Sequence, residues 1–252
     1  MSVWIATLLS VAAVSLVSLV GLFSLSLGER RIQRLSAALV SFAVGALLGD
    51  TFLHLVPDIF GSRVRPLAPS LLILSGVLLF FVLEKLLRHR HGPLHRQHHQ
   101  DHDGLPELAV INVVGDAIHN FIDGALIGAS YLAGPALGLS TTVAVLFHEI
   151  PQELGDFGVL VHSGVSVRKA LWLNLASASA AILGSVATLL ASTETGAVTD
   201  VLLPITAGGF VYIAAADLIP ELQHDRSLRG LFVQAGFIAL GITVMALLTL
   251  VE

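Results

Sequence analysis

His119-Asn120-Phe121-Ile122-Asp123 and His148-Glu149-Ile150-Pro151-Gln152-Glu153 each interrupt a run of apolar residues long enough to cross a lipid bilayer. An ionised side chain at the bilayer centre costs about 2.5–3.5 kcal/mol or more, so such groups persist where they meet partners or water. At 100° per residue, Asp116, His119, Asn120 and Asp123 fall within about 100° of one helix face. His148, Glu149, Gln152, Glu153 and Asp156 fall within about 140° of another by the same geometry. Two such faces apposed gather two imidazoles and several carboxylates into one pocket. Imidazole and carboxylate without sulfur suit Zn, Fe or Mn, with Zn favoured by the nitrogen count. Pro151 adds to this, because it cannot donate to the carbonyl of Phe147 and so leaves that oxygen available one turn earlier.

The rest of the chain reads as a container for these two segments. Of 252 residues, 55% are hydrophobic and 12% charged, with a mean hydropathy of +0.86, where a soluble domain carries about 25% charged residues. No cysteine is present, which excludes disulfides and thiolate metal sites. The net charge of −5 suggests no nucleic-acid surface. A membrane helix needs about 20 mostly apolar residues, and that length predicts spans near 3–27, 35–60, 68–87, 106–133, 138–163, 169–192, 199–222 and 230–251. Strands are not indicated. The fold class is therefore all-α integral membrane with eight transmembrane helices, in a single domain over 1–252.

Lys and Arg stay on the cytoplasmic side of membrane proteins. Eleven of the 13 fall in odd-numbered connections: Arg30, Arg31 and Arg34, then Lys85, Arg88, Arg90 and Arg96, then Arg168 and Lys169, then Arg226 and Arg229. Only Arg63 and Arg65 lie opposite. Both termini are expected outside the cytoplasm, and the connection over 88–105 within it. His54-Leu55-Val56-Pro57-Asp58 in span two matches Asp217-Leu218-Ile219-Pro220-Glu221 in span seven. Placed on helices of opposite direction, this predicts an inverted repeat, spans 1–3 against 6–8 with helices 4 and 5 central.

Further polar groups flank the central pair. Asp50, His54 and Asp58 share one face of span two, and Asp217 and Glu221 lie at the end of span seven. With Asp116, Asp156 and His162 they are candidates for a cation path or gate. The connection over 88–105 holds six of the 11 histidines. His95, His98, His99 and His102 there are candidates for loose metal binding, since histidine-rich tracts bind metals.

These residues resemble a known family, the ZIP (Zrt/Irt-like) metal transporters. His119-Asn120-Phe121-Ile122-Asp123-Gly124 is similar to the HNxxDG signature of the fourth helix in that family. His148-Glu149-Ile150-Pro151-Gln152-Glu153-Leu154-Gly155-Asp156 resembles the HExPHExGD signature of the fifth, found in one branch. The resemblance implies a binuclear site, in which His119, His148 and position 152 serve one metal, Asn120 and Glu149 the other, and Asp123 both. It also implies a homodimer and an elevator-like motion of one helix bundle against another. Gln152 departs from the branch signature, which has His, and replaces an imidazole by a carboxamide. His148 follows the zinc-type pattern rather than that of members with Glu there, which carry manganese and iron broadly.

The expected function is transport of divalent transition-metal ions into the cytoplasm, Zn2+ first and then Fe2+, Mn2+ or Cd2+. The ion is substrate rather than resident cofactor, membrane lipid is the surrounding partner, and the location is a cell (plasma or inner) membrane. The alternative is an intramembrane zinc-dependent hydrolase, because His148-Glu149 begins an HExxH pattern with Glu149 as base. Position 152 lacks the second histidine that pattern needs.

Overall fold

The computed structural model describes residues 2–21, 29–61, 66–89, 107–191, 197–223 and 227–250. Some of these, His162 and Asp217 among them, are described by their backbone alone. The helices of the described residues group into eight segments that overlap the eight predicted intervals, parts of which, such as 22–27, lie outside the described residues. They are α1 (Val3–Val20, its last turn 3-10), α2 (29–61), α3 (Leu67–His89) and α4 (Glu107–Ala133). α5 (Pro135–His162), α6 (Val167–Ala191, interrupted at Ser179), α7 (197–222) and α8 (Leu228–Leu248) follow. The described residues contain no strand.

Five of these helices, α1, α2, α6, α7 and α8, are long and apolar enough to cross a membrane, and α3 adds the apolar stretch Leu67–Leu83. Helices α4 and α5 have the length but carry Asp116 and Asp123, and Glu149, Glu153 and Asp156, in their middle turns. Their placement within the bundle answers the cost: Asp116, Asp123, Glu149 and Glu153 are all buried. By contrast α8 has a largely exposed apolar surface, with Leu228, Leu231, Phe232, Leu240 and Leu247 outward, as a helix facing hydrocarbon requires.

The predicted repeat has a structural counterpart. In α2 a π-helical turn spans Thr51–Leu55, and Val56 N–H bonds back to Thr51 O. In α7 another spans Ile213–Leu218, and Ile219 N–H bonds back to Ala214 O. Each turn ends two residues before a proline, Pro57 or Pro220. Proline has no N–H to give, and its ring crowds the carbonyl four residues earlier. A widened turn relieves that conflict without ending the helix.

The tight helix pairs obey the same symmetry. Helices α2 and α8 approach until a Cβ on Gly45 would strike the backbone of Ile238, and one on Gly241 that of Phe42. Helices α3 and α7 do so at Gly76 against Ile205 and Gly208 against Ile73. Gly45 and Gly208 each lie 12 residues before their proline. Exchanging α2 with α7 and α3 with α8 therefore maps one glycine-mediated pair onto the other, as small-residue packing in inverted repeats allows.

Candidate metal centre

Helices α4 and α5 are joined through Gly134 alone, so they must fold back on one another as an antiparallel hairpin. Asp123 lies 11 residues before that glycine and His148 lies 14 after it. At 1.5 Å per residue the two sit about 16–21 Å from the turn, near the middle of a hydrocarbon core about 30 Å thick.

There the hairpin brings together one ligand atom each from His119, Asp123, His148 and Glu149, all within 4.8 Å of one another. His148 Nε2 is 3.0 Å from Asp123 Oδ2 and 3.5 Å from Glu149 Oε1. His119 Nε2 is 3.4 Å from Glu149 Oε1 and 3.7 Å from Asp123 Oδ2. A tetrahedral zinc with bonds of about 2.0–2.1 Å holds its ligand atoms about 3.3–3.4 Å apart. The four spacings bracket that value.

Both imidazole Nε2 atoms and all four carboxylate oxygens of Asp123 and Glu149 are buried without a hydrogen-bond partner among the described residues. Buried polar atoms are otherwise almost always hydrogen-bonded. Here they face one another, two imidazole nitrogens and two carboxyl groups, a donor set of the kind that a divalent cation satisfies. His148 Nδ1 lies 3.3 Å from the carbonyl of Ala144, one turn back. A carbonyl only accepts, so with the proton on Nδ1 the Nε2 lone pair is available to an ion. The two imidazoles meet edge to face at 5.7 Å, and Phe210 of α7, fully buried, backs His148.

Around this group lies a layer of neutral donors, two from α4 and two from α6. Asn120 donates through Nδ2 to Asp116 Oδ1 (2.9 Å) and to the Asp116 carbonyl (3.2 Å). Ser177 of α6 donates to Asp116 Oδ2. Asn174 of α6 donates to Glu153 Oε2, and Asn112 donates to Asp156 Oδ1 at 2.6 Å. Glu153 is thus buried and clamped by α6, outside the four-residue group. Gln152 is half-buried one turn beyond His148.

A second polar group sits in α2. Asp50 and His54 are buried and 3.4 Å apart, and Thr141 of α5 donates to Asp50 Oδ2 at 3.1 Å. Thr141 precedes His148 by seven residues, two turns along the same helix face. His54 and Asp58 also line a cavity of about 540 Å3 with Leu53, Pro57, Gly134 and Ala136, at the end of the bundle that carries the hairpin turn. Glu221 is exposed at the end of α7. The side chains of His162 and Asp217, and the loop residues His95, His98, His99 and His102, lie outside the described residues.

Four contributors escape a reading by charge: Asn112, Thr141, Asn174 and Ser177. Asn112 extends the polar stripe of Asp116, Asn120 and Asp123 by one turn, and Thr141 shares the face of His148. Those spacings were available signals.

The comparisons with known proteins agree with this architecture. The model of the ZIP zinc transporter family matches residues 1–108 and 90–249. Zinc transporter SLC39A7 of Mus musculus is 32% identical over 308 aligned positions, covering 88% of this chain and 64% of the mouse protein. The Homo sapiens protein of the same name is 31% identical, with 88% and 65% covered. Zinc transporter YKE4 of Saccharomyces cerevisiae is 30% identical, with 88% and 74% covered. The chain spans about two thirds of the length of its mammalian relatives. With its apolar helices and its match along nearly the whole sequence, this multi-pass membrane protein belongs to the ZIP zinc transporter family.

Proposed function

We propose that the protein carries divalent transition-metal ions, Zn2+ first, across its membrane and into the cytoplasm. The observation that carries this reading is the convergence of His119, Asp123, His148 and Glu149 at mid-depth between two antiparallel helices. Its relatives bear the name zinc transporter, which supports the same cargo. The ion reaches the bundle at the cavity beside His54 and Asp58, passes Asp50 and Thr141, and is held by the four central ligands. It leaves past Glu153 and Asp156 towards the histidine-rich connection, which the Lys and Arg distribution places in the cytoplasm. Both termini then lie on the opposite side, in a plasma or inner membrane, with lipid against α3 and α8.

Two histidines and two carboxylates suit a carrier. They bind zinc firmly, yet carboxylate oxygens exchange readily between one- and two-point contact, and no thiolate traps the ion. Hydrolysis gains no support, since Glu149 lies among the ligands and position 152 is Gln where HExxH requires a second His.

Purified protein in vesicles loaded with a zinc-sensitive dye tests the proposal. Wild type is expected to fill the vesicles with zinc, and the double variant His119→Ala, His148→Ala to fill them no faster than protein-free vesicles. Equal uptake by the two proteins would overturn it.

A further inference from the structure

We infer that Asp116 and Ser177 are positioning residues that set the orientation of the Asn120 carboxamide, so that its carbonyl oxygen rather than its amino group faces the cation. The inference rests on the reading of α4 and α5 as the transport site. A carboxamide has one end that can ligate a cation and one that cannot: the oxygen offers lone pairs, while the NH2 group only donates. The two ends are nearly the same size, so packing does not choose between them. A polar partner has to.

That partner is Asp116. Asn120 Nδ2 lies 2.9 Å from Asp116 Oδ1 and 3.2 Å from the Asp116 backbone carbonyl. A backbone carbonyl accepts and never donates, so the amino end is the one that turns to Asp116. Asn120 Oδ1 is left buried with no hydrogen-bond partner among the described residues. Asp123, one of the four clustered ligands, follows Asn120 by three residues on the same helix face.

Asp116 is itself held. Its second oxygen accepts from Ser177 Oγ, a residue of α6. Ser177 can reach because α6 lies almost in backbone contact with α4. A Cβ on Gly124 would strike the carbonyl of Ala181, and one on Gly184 that of Phe121. Asp116, Asn120 and Ser177 are all at least 95% buried. The order Ser177, Asp116, Asn120 therefore runs as a line of donors and acceptors, in which the Ser177 hydroxyl also has the carbonyls of Asn174 (3.0 Å) and Leu173 (3.1 Å) within reach.

Exchange of the two α4 residues separates orientation from mere packing. In Asp116→Asn the new carboxamide donates as well as accepts, so the side-chain half of the bias on Asn120 is lost and only the backbone carbonyl of residue 116 still holds it. In the double exchange Asp116→Asn, Asn120→Asp the donor and acceptor of the side-chain pair trade places and Ser177 still finds an oxygen. The bond to the residue-116 carbonyl is given up, and residue 120 presents an oxygen to the cation in either orientation. Zn2+ uptake in vesicles gives KM and maximal rate. Absorption of bound Co2+ on the purified protein reports the donor set without transport.

Asp116→Asn is expected to raise KM about tenfold, the lower end of what loss of a ligand's supporting partner costs, with the maximal rate changed less than about twofold. The Co2+ spectrum should shift with it. The double exchange should recover most of that loss, to within about threefold of wild-type KM. Ser177→Ala should raise KM and Ser177→Thr, which keeps the hydroxyl, should not.

A wild-type KM and spectrum in Asp116→Asn, or a double exchange as poor as the single variant, would overturn the inference. Should Asp116→Asn fail to fold, Ser177→Ala decides: an unchanged KM there overturns it equally. If His119→Ala, His148→Ala still transports, the transport-site reading itself falls. If that variant is inactive and Asp116→Asn behaves as wild type, only the orientation relay falls.

Discussion

His148 Nε2 lies 3.0 Å from Asp123 Oδ2 across the α4–α5 hairpin, while the other nitrogen of the same ring is directed at the carbonyl of Ala144. The ring is thus held by its own helix and aimed at the neighbouring one. Removing it deletes one of the four proposed ligands and leaves the buried Asp123 and Glu149 side chains without it. His148→Ala should weaken Zn2+ binding by more than the about 10–100-fold that loss of a supporting partner costs. Competition with a chromophoric chelator on the purified protein measures this, and an unchanged dissociation constant would exclude His148 as a ligand.

Gln152 stands where the related signature has His, and the sequence alone casts it as a weak ligand. His119, Asp123, His148 and Glu149 bring four ligand atoms within 4.8 Å of one another, and we propose that these dominate binding over the carboxamide at 152. Gln152→Ala is therefore expected to change the KM for Zn2+ by less than about threefold, whereas Glu149→Ala, which removes one of the four, should abolish saturable uptake. A Gln152→Ala variant as inactive as Glu149→Ala would restore position 152 to the ligand set.

The two layers of this site differ in how far the sequence discloses them. His119, Asp123, His148 and Glu149 are conspicuous because ionisable residues in apolar helices are costly, and helical periodicity alone puts them on facing stripes. Asn174 and Ser177 are not conspicuous, since an isolated Asn or Ser in a membrane helix usually bonds its own backbone. Ser177 also reaches the carbonyl of Leu173. Which helix they meet depends on how closely α4 and α6 cross at Gly124 and Gly184, a distance that no spacing within one helix encodes. The π turns before Pro57 and Pro220 are hidden for a related reason: the repeated motif is readable, but a shift of hydrogen-bond register is a response to packing. Helices α4 and α5 are legible from the length of their mostly apolar runs, and their polar motifs mark them out from the other spans.

Gly124 follows Asp123 directly and packs against the Ala181 carbonyl of α6. A methyl group at that position cannot be accommodated without separating the two backbones. Overpacking of this kind costs about 1–3 kcal/mol, and here it displaces the proposed ligand Asp123 as well. Gly124→Ala should lower the thermal unfolding midpoint in detergent and reduce Zn2+ uptake together. Gly155→Ala, where a Cβ meets nothing within 4 Å, serves as the control and should lower neither. If Gly124→Ala melts with the wild type, α4 and α6 are not locked at this crossing.

The absence of cysteine makes the natural chain its own background for accessibility mapping. Ala136 lies just past the hairpin turn and lines the cavity shared with His54 and Asp58. If that cavity is the mouth of the cation path, Ala136→Cys in intact cells should react with a membrane-impermeant maleimide added outside, and the adduct should reduce Zn2+ uptake by obstructing the cavity. Binding to the purified, modified protein should persist, because the four proposed ligands are untouched. The side of reaction also tests the orientation inferred from the Lys and Arg distribution, which puts the connection between α4 and α5 outside the cytoplasm. Labelling from the cytoplasmic side alone would invert the topology. Outside labelling with undiminished uptake would keep the topology and move the mouth elsewhere.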